Sequence, residues 1–437
     1  MTSHIPSDSY PLTLSESRPL RYGVFFYLYV MQGIPSGFAL TALSNYLTAE
    51  GVKPEVIGKF AATVGLPWAF QFVWGPLIDR FQGSVMGRRK PWVLLSQFLA
   101  FLASLGILLI NNPVGQITGL MAAFFIHSVF ASIQDASVDA LAISVIPEEE
   151  RGRINAFMRA GFLIGIGVGA AVLSHIIRYD GFFYAALAQS AALLLFTIVT
   201  FFIRERVGDA LVPWAVRRSS EQALAGSHPD HSFEWLFSEL FRGLLARQSL
   251  LLFGAVIAGY LSISLFSRAF NFHLIRSLGW TDTSVSVLTG TYGMLLATVV
   301  ALTGGFLADR FGARRLLVIV ISIIAAYLIG FNLISDWWKT RDVARTGLVA
   351  LYFMDPSLSI AAMPVLMAIC RKGVEGSQFT TYMAFVNLSD IAGSFVSGHA
   401  LNYLAAPTIG KIAGLLAFLA VLTAFFTLRH YRVASQG

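Results

Sequence analysis

The run Gly75-Pro-Leu-Ile-Asp79-Arg80-Phe81-Gln-Gly-Ser-Val-Met-Gly87-Arg88-Arg89-Lys90-Pro-Trp92 lies between two long apolar stretches. One Asp and four basic residues crowd into it, in a chain that is only 13% charged. A second run, Gly305-Phe-Leu-Ala-Asp309-Arg310-Phe311-Gly312-Ala-Arg314-Arg315, repeats the pattern some 230 residues on. A charged turn that returns at matching places in two halves of a greasy chain implies an internally duplicated helical protein with a use for its turns.

The composition agrees. The 437 residues are 56% hydrophobic and include 36 Phe, with a mean hydropathy of +0.68. Apolar runs long enough to cross a bilayer as a helix recur along the whole length. Backbone polar groups in lipid must find partners internally, and helices supply them. The class is an all-α polytopic membrane protein, with twelve expected spans at roughly 22–48, 56–78, 91–111, 116–146, 153–177, 182–203, 247–272, 283–307, 314–334, 346–371, 377–403 and 409–429. Three regions follow: a six-helix bundle over 1–203, a cytoplasmic linker over 204–246 and a second six-helix bundle over 247–437. The linker ends in SFEWLFSELFRGLL, whose Phe233, Leu236, Phe237, Leu240, Phe241 and Leu244 share a helical face. That face suits a helix at the inner membrane surface, either a lead-in to span 7 or a partner-binding element.

The net charge of +7 does not indicate nucleic acid, because the basic residues occupy short turns. With the N-terminus placed inside, inner turns hold 21 Lys and Arg and outer turns 7. Both termini are therefore expected in the cytoplasm. The first twenty residues lack an apolar core with a small-residue cleavage site, so the first span is expected to target the chain. Cys370 is the lone cysteine, which excludes an intramolecular disulfide.

The two copies of G-x-x-x-D-R-x-(G)-R-R, at the inner ends of spans 2 and 8, resemble the signature loop of the major facilitator superfamily. A fainter echo links Gln134-Asp135-Ala-Ser-Val to Met354-Asp355-Pro-Ser-Leu. The resemblance implies two six-helix pseudo-repeats that rock about a central site. It also implies a cytoplasmic latch in which Asp79 and Asp309 meet a helix N-terminus, supported by Arg80, Arg88, Arg89, Arg310 and Arg314, with Gly75 and Gly87 shaping the turn. Residues 82–86 are inserted in the first copy. DRF-QGSVM-GRRKPW, followed by S-I-Q-D-A-S-V-D-A-L and I-P-E-E-E-R-G-R, resembles the AmpG-like branch, which holds muropeptide permeases, acetyl-CoA transporters and siderophore importers. The branch's usual Trp after the second Asp of span 4 is replaced by Leu141, and the chain has no room for two additional spans. Both departures point away from a muropeptide permease, and the compact length and Gly65-Leu-Pro-Trp68 resemble the siderophore-importer group.

Ionisable groups inside spans are costly and call for a reason. Asp135 and Asp139 share a face of span 4. Asp139 and Arg159 lie at similar depths in antiparallel neighbours, so they are expected to pair, as a gating contact or a static strut. Asp135, Asp390 and Asp355, in that order, are candidates for proton coupling. Gln32, Asn45, Gln71, Gln134, Tyr260, Arg268, Asn271, Tyr292 and Asn387 are candidates for substrate contact or for helix–helix hydrogen bonds. Arg268 could also snorkel outward. Bends are expected at Gly33-Ile-Pro35-Ser-Gly37 and at Pro67. Gly161, Gly165 and Gly169 suit close packing on a neighbouring span rather than dimerisation.

An enzyme is the rival class, but the eight histidines are scattered and no metal, P-loop or nucleophile-elbow motif is present. No cofactor or metal is expected. The expected function is a monomeric bacterial inner-membrane carrier of a small organic solute, coupled to protons, with a siderophore as first cargo and a muropeptide as second. Export of a drug-like compound and a non-transporting scaffold are the alternatives.

Overall fold

The computed structural model describes residues 12–74, 77–78, 81, 84–147, 150–214, 233–293, 295–296, 298–300, 303, 312–371 and 375–434. Six long helices precede the linker: α1 (Arg18–Ala49), α2 (Pro54–Val73), α3 (Lys90–Ile107), α4 (Ile117–Val145), α5 (Arg151–Tyr179) and α6 (Phe182–Phe202). The linker helix is α7 (Phe233–Leu245). Six more follow: α8 (Arg247–Arg276), α9 (Asp282–Val300), α10 (Ala313–Leu333), α11 (Arg341–Ala368), α12 (Glu375–Ala400) and α13 (Ala406–Ala434). Among the described residues, eleven helices are long and apolar enough to cross a membrane. Helix α12 falls outside that set. Its sequence carries Asn387, Asp390, His399 and four serines and threonines before Asp390, and it borders the cavity described below.

Local chemistry sets the helix boundaries. Ser17 caps α1, its Oγ accepting from the Leu20 amide at 3.4 Å, with Pro19 in the first turn. Thr281 caps α9 in the same way through the Ser284 amide at 3.1 Å. Pro54 and Pro91 start α2 and α3, where a missing N–H costs nothing. The two expected bends are present. Pro35 lies within α1, and the helix relaxes to π geometry over Phe38–Leu43. Pro67 precedes a break at Phe70, after which Gln71–Val73 form a 3₁₀ turn. A second π turn, Thr289–Gly293, interrupts α9. Leu40, Thr41, Thr289, Gly290 and Gly293, from the two π segments, all line the central cavity.

The apolar cores stay within the halves. One cluster joins α8–α13 around Phe266, Phe270, Phe331 and Trp338. Two others belong to α1–α6, one around Phe38, Phe60, Phe124 and Phe182, the other around Phe25, Leu28, Val138 and Ile154. Helices α1 and α5 approach most intimately. A side chain at Gly161 would meet the Phe26 carbonyl, one at Gly165 the Val30 carbonyl and one at Gly169 the Ile34 carbonyl. Gly33 and Gly37 face back onto Phe162 and Ile166. The glycine stripe of α5 is thus spent on α1, as its small-xxx-small spacing predicts.

Helix α7 docks on the second half. Its Glu239 pairs with Arg371 at 3.2 Å and with Arg242 at 2.9 Å, and Gly243 abuts Gln378 of α12. Gln378 in turn accepts from the Arg371 amide and donates to the Tyr382 hydroxyl.

Candidate functional site

A cavity of about 400 Å³ lies between the two sets of six helices. Helices α1, α2, α4 and α5 form one wall, and α8, α9, α11 and α12 the other. Of the residues proposed from sequence, Arg159, Tyr260, Arg268, Asn271, Asp355, Asn387 and Asp390 line it. Trp68, Phe124, Phe162, Tyr260 and Tyr352 are among its lining residues.

Two arginines define its polarity. Arg159 of α5 reaches across to Asp355 of α11, Nη2 to Oδ1 at 3.6 Å. Both side chains remain about half exposed, and Arg159 also lies over the Phe162 ring. Arg268 of α8 is held more fully. It donates to the Leu40 carbonyl at 2.7 Å and to Ser394 Oγ at 3.1 Å, and stands 3.8 Å from Asp390 Oδ2. Arg268 therefore faces inward, onto the other half, and does not snorkel. Asn271 donates to the Tyr352 hydroxyl at 3.1 Å, while its buried Oδ1 has no partner. His127, one of the scattered histidines, also borders the cavity. Its Nδ1 contacts the Ala100 carbonyl at 2.9 Å, leaving Nε2 buried without a partner.

The expected Asp139–Arg159 pair does not form. Asp139 accepts from the Tyr29 hydroxyl of α1, and Arg159 is drawn to Asp355 instead. The expectation assumed that helices consecutive in sequence pack on each other, but α5 packs on α1 rather than on α4, and Tyr29 of α1 meets Asp139. Asp135 accepts from Gln71 Nε2 at 2.5 Å, because the break after Pro67 brings Gln71 toward α4. Gln32 lies beside the same carboxylate. Tyr29, Gln32, Gln71, Asp135 and Asp139 make a second polar cluster, within the first half. Three other candidates lie elsewhere. Gln134 is buried against Met31 Sδ, Asn45 bonds to Ser286, and the Tyr292 hydroxyl accepts from Arg345.

The two halves meet at the face away from the termini. Arg178, at the end of α5, bridges Asp282 at 2.9 Å and Glu50 at 3.1 Å. His399 of α12 stands 3.3 Å from Glu55 of α2. Backbones also touch there: a side chain at Gly58 would strike Ser394 and Gly398, and one at Gly290 would strike Gly167 and Ala171. Among the described residues, every ion pair joining the halves lies either in the cavity or at this face.

Of the repeated loop motif, Gly75, Asp79, Arg80, Asp309 and Arg310 lie outside the described residues, whereas Gly87, Arg88, Arg89 and Arg314 lie within them. A different acid is seen at a helix N-terminus here. Glu205, fully buried, accepts from the amides of Arg89 and Lys90 at 2.8 and 3.1 Å, where α3 begins. Gly87, at φ 118°, passes so close to Glu205 and Asp209 that no side chain fits. Burial, with the Glu205 charge adding to it, pushes the Asp209 carboxyl above its ordinary value. Beside this knot, Arg21 makes a two-pronged contact with Glu150 at 3.0 Å and binds the carbonyls of Leu14 and Ser15. The sequence held one clue to Glu205, an acid between two arginines just past the sixth apolar run.

A charged cavity enclosed between two six-helix sets, sealed at one face, is the architecture of an alternating-access membrane transporter. The chain belongs to the Major Facilitator Superfamily, whose family model matches residues 25–271. Its relatives fall in the AmpG-like branch. It is 27% identical over 397 residues to the Anhydromuropeptide permease of Escherichia coli, covering 87% of this chain and 75% of that protein. It is 24% identical over 392 residues to the Putative transporter AmpG 4 of Rickettsia felis, covering 87% and 89%. The crystal structure of the nucleoside transporter NupG shares the fold, with a TM-score of 0.63 at 16% identity over 94% of this chain and 99% of that one.

Proposed function

We propose that this transporter is a proton-coupled importer of anhydromuropeptides in a bacterial inner membrane, with both termini in the cytoplasm. The observation that carries the reading is the cavity with its two arginine–carboxylate pairs, in a chain similar over most of its length to a muropeptide permease. A muropeptide combines sugar rings with peptide carboxylates, and aromatic walls beside guanidinium groups suit both. The departures that pointed from the sequence away from a muropeptide permease, Leu141 and the compact length, carry less weight than that similarity over 87% of the chain.

The acids supply the coupling. Asp135 and Asp139, on one face of α4, are held by amide and hydroxyl donors, Gln71 and Tyr29, and carry the first protonation step. Asp355 and Asp390 stand opposite arginines in the cavity. With the termini inside, the face closed by Arg178 and His399 is the periplasmic one.

Uptake into proteoliposomes under an imposed inward proton gradient tests this directly. Labelled anhydromuropeptide is expected to accumulate in wild type and to lose its gradient dependence in Asp135→Asn. Accumulation of a ferric siderophore but not of the muropeptide would replace the cargo. Equal uptake with and without the gradient would remove the coupling.

A further inference from the structure

We propose that Arg159 is the receptor for a carboxylate of the transported solute, and that Asp355 is the resident anion which that carboxylate displaces. The inference deepens the proposed function and rests on its cavity.

The two cavity arginines differ in how their donors are used. A guanidinium offers five N–H groups in a rigid fork. Arg268 spends its donors on Ser394 Oγ and the Leu40 carbonyl, so it ties α8 to α12 and α1. Arg159 makes no hydrogen bond among the described residues. Its approach to Asp355, at 3.6 Å, is longer than the roughly 2.7–2.9 Å of a charge-assisted hydrogen bond. The guanidinium is 41% exposed and the carboxylate 51%. The pair is thus an attraction across the cavity rather than a closed contact, and its fork faces space of about 400 Å³. That volume falls within the usual range for a drug-sized ligand. A solute carboxylate entering it can bind the fork bidentately, with an apolar or sugar face against Phe162, Trp68 and Tyr352.

Asp355 then loses its counter-charge inside the membrane. The groups facing it are Arg159 from α5, Tyr260 from α8 and Asp390 from α12, which is itself turned to Arg268. With its cation occupied and a second carboxylate nearby, Asp355 takes one proton from the aqueous side of the cavity. The exchange is balanced: one carboxylate enters, one proton enters, and the cavity's net charge is unchanged. Release reverses both steps, restoring the Arg159–Asp355 pair across the two halves. A solute carrying no carboxylate has no means of breaking that pair.

Equilibrium binding to purified full-length protein in detergent micelles tests the exchange, using a labelled anhydromuropeptide with its free acid and its methyl ester as competitors. Wild type is expected to favour the acid at least tenfold. Binding of the acid should weaken as pH rises, by up to tenfold per unit where one proton is taken up. Arg159→Gln should abolish the preference for acid over ester, and Arg159→Lys should reduce it while retaining the charge. Asp355→Asn should keep the preference and flatten the pH dependence. Equal binding of acid and ester in wild type would overturn the proposal, as would an Asp355→Asn profile with the wild-type slope. A purely structural Arg159 would show itself by weakening acid and ester alike. If neither muropeptide form binds, the cargo reading fails on its own. An N-acetylated tripeptide and its methyl ester then decide the matter: Arg159-dependent preference for that acid upholds the exchange, and its absence ends it.

Discussion

At the scale of single residues, the most consequential side chain outside the cavity is Glu205. It is wholly buried and accepts two backbone amides at the start of α3. An acid there meets both the unsatisfied N–H groups of the first turn and the positive end of the helix dipole. Removing it strands buried donors, each worth about 1–3 kcal/mol. Glu205→Ala is therefore expected to lower the unfolding midpoint in detergent markedly, and Glu205→Gln, which keeps an accepting oxygen, to lower it less. A thermal-denaturation series measures both, and equal midpoints for Ala and wild type would show that the cap carries no stability. Arg21 is a comparable case: its fork is filled by Glu150 and two carbonyls, so Lys would not replace it. Both residues were plain in the sequence as charges near span ends. Their partners were not, because Glu205 acts 115 positions from Lys90 and Glu150 acts 129 from Arg21.

Elements show how glycine sets distance. Gly161, Gly165 and Gly169 of α5 let the carbonyls of Phe26, Val30 and Ile34 come against them, so the α1–α5 interface has no space for a β-carbon. Gly165→Leu must push α1 away and with it Pro35, Ser36, Leu40 and Thr41, which line the cavity. Overpacking of this kind costs about 1–3 kcal/mol or more. Gly106 of α3 has nothing within 4 Å and serves as the control. Gly165→Leu is expected to lose thermal stability and uptake together, while Gly106→Leu keeps both; matching behaviour in the two variants would refute close packing as the reason for the stripe. The spacing of these glycines was legible as a packing motif. The bends at Pro35 and Pro67 were legible as well, since proline removes a helix donor wherever it sits. What the bends accomplish was not. The turn after Pro67 hands Gln71 to Asp135, and the π segment after Pro35 brings Leu40 and Thr41 to the cavity.

Over the whole molecule, the seal at the face away from the termini holds the present state. It consists of Arg178 with Glu50 and Asp282, of His399 with Glu55, and of the backbone approaches Gly58–Gly398 and Gly167–Gly290. Glycines on both partners make the seal tight yet free of interlocking side chains, so the halves can part without unthreading. Gly398→Leu is expected to wedge α2 from α12 and open the cavity to that side. In a background with Cys370 replaced by Ser, a cysteine introduced at Ser267 reports this. A membrane-impermeant maleimide applied from the sealed face should label it slowly in the parent and at least tenfold faster with Gly398→Leu. Arg178→Ala should act in the same direction, because it leaves Asp282, 2% exposed, without its cation. Unchanged labelling in both variants would mean that the seal does not govern access.

The amino-acid sequence by itself determined the membrane, the helices, the duplication and the superfamily. Each follows from local pattern: apolar run length, proline and glycine placement, and a charged turn written twice. It also marked which polar residues needed explaining, since a charge in a span is conspicuous wherever its partner lies. Only the tertiary structure decided the pairings. Asp139 and Arg159 sit on helices consecutive in sequence, yet those helices do not pack on each other: one residue turns to Tyr29 of α1 and the other crosses the cavity to Asp355. Rotation of a helix about its axis is fixed by what packs on every side of it. For α5 that is the backbone of α1, pressed against its glycine stripe, with Arg159 left to face the other half of the protein.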